Sequence, residues 1–237
     1  MLKFLRGGLR RVCCSDAKRP PLGRLSDITR IWFSPLPAKS KWIQPCSVNY
    51  LENELQKETH VVKVLDGVLV VLYNKSRDKL IFVRQFRAAV YQGRLSCQQP
   101  KIPRGDVDLQ KFPPEMGITL ELCAGQVDKD KSLEDIAREE ILEECGYDVP
   151  ADGLQKVFQY RSGVGISSGG QALFYCEVCD EQRVSAGGGV DKEVIQVVEL
   201  SLDEARQLVR TGNRTNGGPA LLVGVMWFLL NKAPKSS

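Results

Sequence analysis

Only one histidine, His60, occurs in the 237 residues, so neither a histidine-activated nucleophile nor a zinc ion held on several imidazoles has the residues it needs. No Gly-x-Ser-x-Gly segment marks the strained elbow of a serine hydrolase. Long apolar runs are missing too, the richest stretch falling well short of the roughly 18 residues of a membrane span. Net charge is weak: 33 Lys and Arg against 29 Asp and Glu leave +4, scattered, with no basic stripe interleaved with aromatics. That argues against a nucleic-acid partner. Cysteine is not scarce, at eight, but Cys123, Cys145 and Cys176 lie in apolar stretches, as reduced buried thiols do. Cys176-Glu-Val-Cys179 has the spacing of half a zinc knuckle, and the other half is missing. A reducing, cytoplasmic location is the expectation. Mitochondria are the alternative, because Lys3, Arg6, Arg10, Arg11, Lys18 and Arg19 crowd the basic N-terminus.

What the chain does have is acid in an unfavourable place. Glu140, Glu143 and Glu144 are spaced by three and four, which predicts one side of an α-helix, and Glu139 adds a fourth acid. All crowd the C-terminal half of that helix, where the dipole disfavours anions. A cation resolves the conflict, and clustered carboxylate oxygens suit Mg²⁺, with Mn²⁺ second. The helix has legible ends. Ser132 with Asp135 three residues on predicts an N-cap, Gly146 a C-terminal stop, and Leu133, Ala137 and Ile141 a buried stripe with Leu142 and Cys145 beside it.

The segment from Gly125 to Tyr147 resembles the Nudix box, Gly-x5-Glu-x7-Arg-Glu-U-x-Glu-Glu-x-Gly-U, with U an aliphatic or aromatic residue. Gly125, Glu140, Ile141, Glu143, Glu144, Gly146 and Tyr147 fall on motif positions. Two positions depart: Lys131 stands where the first Glu belongs, and Glu139 where Arg belongs, with Arg138 displaced by one. Outside the box, Val83–Gly93, Glu121–Gly125, Ser162–Gly165, Phe174-Tyr175 and Gly187–Gly189 recur in an order similar to the UDP-sugar diphosphatase branch of that family. The resemblance implies an α/β (α+β) fold, an αβα sandwich about a mixed β-sheet. It implies Mg²⁺-dependent cleavage of a UDP-sugar such as UDP-glucose to UMP and sugar 1-phosphate. An ADP-ribose or ADP-sugar diphosphatase is the alternative, and Lys131 and Glu139 keep open a non-catalytic nucleotide-sugar binding module.

The resemblance also assigns roles. Glu140, Glu143 and Glu144 become metal ligands together with the backbone carbonyl of Ala124, and Glu144 counts among the catalytic residues as well. Glu193, with Asp191 second, becomes the general base on a mobile glycine loop. Arg87 becomes the holder of a substrate phosphate, which suits a guanidinium fork, with a structural salt bridge as its other reading. Arg84 is expected to face solvent. Ser162 and Gly163 offer small residues and backbone donors near the ligand.

The organisation reads as a disordered basic extension over 1–22, N-terminal strands over 23–56, and the catalytic domain over 57–237. In related nucleotide-sugar hydrolases such N-terminal strands pair across a homodimer. Strands are predicted over 61–73, 79–87, 118–123, 156–160, 171–178 and 193–200, a long loop over 94–117, and helices over 202–211 and 219–232.

Overall fold

A computed structural model describes residues 28–234, apart from 38–39, 41–42, 100, 102, 151 (side chain) and 212–215. The predicted basic extension lies outside the described residues.

The chain runs β1 (Trp32–Phe33), β2 (Gln44–Glu52), β3 (Leu55–Lys63), β4 (Gly67–Asn74), β5 (Lys79–Phe86), α1 (Ala88–Gln98), β6 (Gly105–Asp106), β7 (Ile118–Glu121) and β8 (Cys123–Gln126). It continues with α2 (Leu133–Glu140), β9 (Leu154–Ser162), β10 (Gly169–Val178), β11 (Gln196–Ser201), α3 (Leu202–Thr211) and α4 (Pro219–Asn231). The central sheet has the order β11-β5-β4-β10-β9, with β10 parallel to β4 and the other pairings antiparallel. It is mixed, as expected.

The continuous apolar run of β4 is that of a strand covered on both faces. Val68, Val70 and Leu72 pack with Ile136, Ala137 and Ile141 of the acidic helix. Leu69 and Val71 pack with Leu202, Leu208, Leu221 and Phe228 of α3 and α4. Helices therefore cover both sides of the sheet, giving the αβα sandwich. Each fully buried Val, Leu or Phe contributes about 1.5–3 kcal/mol to holding the layers together. At 13 residues α4 is a packing helix, and no helix among the described residues is long and apolar enough to cross a membrane.

Three expectations need correction. The strand predicted over 118–123 is two strands. β7 pairs with β5 and β8 pairs with β4, because β4 and β5 are bonded only near their shared turn, Leu72–Asn74 with Lys79–Ile81. Beyond it they splay, and the β7–β8 segment, switching partner at the buried Leu122, fills the gap. The long loop over 94–117 begins as the second half of α1 and ends in a 3-10 turn, Pro114–Gly117. Only Tyr91 and Leu95 of α1 are buried, against Phe112, so one i, i+4 pair carried the whole helical signal. Finally, the run over 61–73 is broken. Residues up to Lys63 belong to β3, which pairs with β2 as a separate hairpin, and the expected boundary at Lys57 falls inside that strand.

Candidate active site

The splayed end of the sheet is where the chemistry-bearing residues gather. β8 delivers Cys123, Ala124 and Gly125 there, and the next turn leads into α2. Ser132 caps that helix: its Oγ accepts the Asp135 N–H at 3.0 Å and donates to the Asp135 carboxylate at 2.6 Å. Gly125 is required by the packing, since a Cβ there would lie 2.0 Å from Glu140 Oε1.

The helix does not stay α to its end. Ile141–Cys145 form a wider π turn, closed by the Gly146 N–H on the carbonyls of Ile141 and Leu142, with Gly146 left-handed at φ 79°. One extra residue in the turn shifts the faces, a feature frequent at functional sites. Leu142, expected beside the buried stripe, is accordingly 40% exposed, while Ile136 takes its place in the core. Glu144 is turned inward and is only 4% exposed.

Glu144 Oε2 accepts the Ala124 N–H at 3.0 Å. Burial pushes its carboxyl up to about 8; the Ala124 N–H opposes this, and Glu140 and Glu193 add to it. Glu140, packed over Gly125, is pushed up to about 7, first by burial, then by Glu143 and Glu193. The three acids of the helix thus share one side. Among the described residues no Lys or Arg forms an ion pair with Glu140, Glu143 or Glu144. Nor, among the described residues, do three or more His, Cys, Asp or Glu side chains stand in a ready-made metal cage. Of Ala124, the observed contact to the acidic cluster is made by its N–H, to Glu144.

Glu193 reaches the cluster through the glycine loop. Gly188 N–H donates to the Glu144 carbonyl at 2.9 Å and Gly189 N–H to the Glu143 carbonyl at 3.0 Å. The loop therefore satisfies carbonyls that the helix end leaves without partners. Gly187, with φ 70°, admits no side chain, because a Cβ would stand 2.2 Å from the Glu144 carbonyl oxygen. Glu193 Oε2 in turn accepts the Val190 N–H at 3.3 Å, and its charge is felt by Glu140, Glu144 and Arg87. Asp191 is exposed and left-handed at φ 54°, and no contact ties it to the acids.

Arg87 forks onto Glu121, at 2.9 and 2.7 Å. Burial alone would push Glu121 up, but Arg87, Thr119 and Gln85 hold it below the usual carboxylate range. Arg87 also feels Glu144 and Glu193. Glu121 was missed as a site residue. It lies opposite Val83 in the β5–β7 register, and only that register brings it to Arg87. Arg84 is the clear error: it is 5% exposed and donates to Gln196 Oε1 at 2.8 Å across the β5–β11 ladder. Its position points to the face opposite Arg87, and that face is covered by α3 and α4.

Ser162 ends β9, and Gly163 follows it in the turn into β10. The Gly163 carbonyl collects the N–H groups of Ile166, Ser167 and Ser168, so these donors serve the turn itself. The turn flanks a cleft of about 260 Å³ lined by Gly67, Leu133, Tyr160, Arg161 and Gln171 among others. No contact joins Ser162 or Gly163 to the acidic cluster. The two departing positions, by contrast, meet: Glu139 is bridged by Lys129 at 2.9 Å and by Lys131 on its other oxygen.

No family model matches the chain. It is 38% identical over 208 residues to uridine diphosphate glucose pyrophosphatase NUDT14 of Bos taurus, covering 83% of this chain and 92% of the relative. The Mus musculus protein of the same name is 36% identical over 211 residues, 84% and 94% of the two chains. A GDP-mannose pyrophosphatase of Citrobacter koseri is 32% identical over 161 residues, 68% and 73% of the two chains.

Proposed function

Because the chain belongs to the Nudix hydrolase family, we propose that it hydrolyses the pyrophosphate of UDP-sugars, UDP-glucose above all, to UMP and sugar 1-phosphate with Mg²⁺. The observation that carries the reading is the crowding of Glu140 and Glu144, pushed up to about 7 and 8 beside Glu143 and Glu193, with no ion pair among the described residues to relieve it. The donors are all hard oxygens, which fits Mg²⁺ and accommodates Mn²⁺. The uridine preference is supported by the two relatives whose names carry it.

Glu140, Glu143 and Glu144 would hold the ion, with the Ala124 carbonyl completing the set. Such an ion, when bound, neutralises the diphosphate and lowers the pKa of a coordinated water. The chain's own residues do the rest. The Ala124 N–H fixes one Glu144 oxygen, which orients the carboxylate. Glu193, solvent-exposed and beside the cluster, takes the proton of the attacking water. Arg87 supplies positive charge at the end of β5; Glu121 holds its guanidinium flat and pre-oriented for a phosphate oxygen.

A homodimer completes the proposal. Every residue of β2 is exposed, including Val48, Tyr50 and Leu51, and Leu55 of β3 is 66% exposed. A lone two-stranded hairpin is marginal in water, so a second copy of the chain covers this one. The six cysteines within the described residues are unpaired, which suits the cytoplasm.

The deciding experiment incubates purified protein with UDP-glucose or ADP-ribose and Mg²⁺. UMP and glucose 1-phosphate are the expected products. A large preference for ADP-ribose would defeat the uridine assignment, and turnover of neither would leave only a binding module.

A further inference from the structure

The two residues that depart from the Nudix box depart together, and their charges reverse together. The box has Glu and Arg where this chain has Lys131 and Glu139. A single reversal would set like charges against each other, Lys against Arg or Glu against Glu. The double reversal keeps the attraction, and the structure closes it: Lys131 bonds one Glu139 oxygen and Lys129 the other at 2.9 Å. The displaced Arg138 does not substitute. Its guanidinium faces elsewhere, donating to the Val149 carbonyl at 2.9 Å.

The position of this bridge gives it a consequence for the site. Lys129 and Lys131 sit on the turn that leaves Gly125; Glu139 precedes Glu140 on the helix. Gly125 and Glu140 are packed so closely that no Cβ fits between them. A turn that drifts from the helix therefore moves Glu140 with it. The same bridge brings the Lys129 ammonium near Glu140, where it opposes the crowding of the other acids.

We infer that Lys131, Lys129 and Glu139 form a sign-reversed clamp that positions Glu140 for the divalent ion. This rests on the metal-dependent reading above, and it makes the two departures a preserved function instead of a lost one. Lys129, Lys131 and Glu139 are positioning residues, since none touches substrate or the reacting atoms.

The test is a charge-swap cycle read out by Mn²⁺ titration calorimetry without substrate and, separately, by kcat and KM for UDP-glucose. Replacing a group that orients metal ligands typically weakens metal binding or activity 10–100-fold, so Lys131→Glu is expected to weaken Mn²⁺ binding about tenfold. It should lower kcat with KM little changed. The double variant Lys131→Glu/Glu139→Arg restores the box pair but leaves Lys129 facing the new guanidinium, so it should recover part of the loss, clearly above Lys131→Glu alone, and Lys131→Arg should bind Mn²⁺ as wild type does. All three positions are at least partly exposed, so these chains fold; Glu139→Arg is the fourth corner of the cycle, and Lys131→Gln is a neutral control with a smaller loss. Wild-type Mn²⁺ affinity in Lys131→Glu, or a double variant no better than the single, overturns the clamp. A wild-type chain that binds Mn²⁺ through this cycle yet leaves UDP-glucose intact would overturn the substrate reading and keep the clamp.

Discussion

Replacing Glu144 by Gln should stabilise the metal-free protein while abolishing its activity, and the size of the effect follows from burial. The Glu144 carboxyl is 4% exposed and has moved from 4.5 to about 8. Its folded value lies above its unfolded one, so the native state binds the extra proton across that window. Stability conferred by the protonated form is present at low pH and is lost as pH rises from about 4.5 to about 8. At about 1.4 kcal/mol per pKa unit, ionising this one group between about pH 6 and pH 8.5 removes roughly 2–3 kcal/mol. Glutamine keeps an oxygen for the Ala124 N–H and has no charge to bury. In a chain of this size the difference corresponds to roughly 5–10 °C of melting temperature. The assay is thermal unfolding in excess chelator across that pH range. Wild type should fall away from Glu144→Gln as pH rises. Millimolar Mg²⁺ should then restore wild type alone, because an ion that binds only the folded state stabilises it by mass action. Parallel pH profiles for the two proteins would refute the reasoning, since Glu144 would then not be an uncompensated buried acid.

Three further outcomes are expected. Gly125→Ala drives a methyl into the Glu140 carboxylate and should cost about 1–3 kcal/mol of stability together with most of the turnover, measured by melting and product formation. Arg87→Lys loses the two-pronged contact with Glu121; if a charge-assisted bond of about 1.5–3 kcal/mol goes with it, kcat/KM for UDP-glucose falls roughly 10–100-fold. Leu51→Asp with Leu55→Asp places charge on the exposed hairpin, and light scattering should show the mass halved; an unchanged mass would put the dimer contact elsewhere.

The acidic helix is legible in the amino-acid order because its information is local. Cap, stripe, acid spacing and glycine stop all lie within about twenty contiguous residues, where i, i+3 and i+4 geometry translates order directly into a face. The αβα layering is legible through the family resemblance, and the β-branched apolar run of β4, the length of a strand, agrees with a strand buried on both sides. The π turn is not, since α and π periodicities differ by less than a turn over five residues. Nor is α1, whose single buried pair and Gly93 leave little periodic signal.

Everything else at the site depends on register and close approach between distant segments. Arg84 is buried, and Arg87 meets Glu121, because of how β5 aligns with β11 on one edge and β7 on the other. Glu193 stands by Glu140 because glycine N–H groups cap carbonyls far earlier in the chain, those of Glu143 and Glu144. Lys131 and Glu139 read singly as two defects, and only the turn that folds one over the other makes them a bond. A strand pattern gives which face a side chain takes once the alignment is known, but the alignment itself is set by the packing of the whole sheet, and a shift of one residue would send each of these side chains to the opposite face.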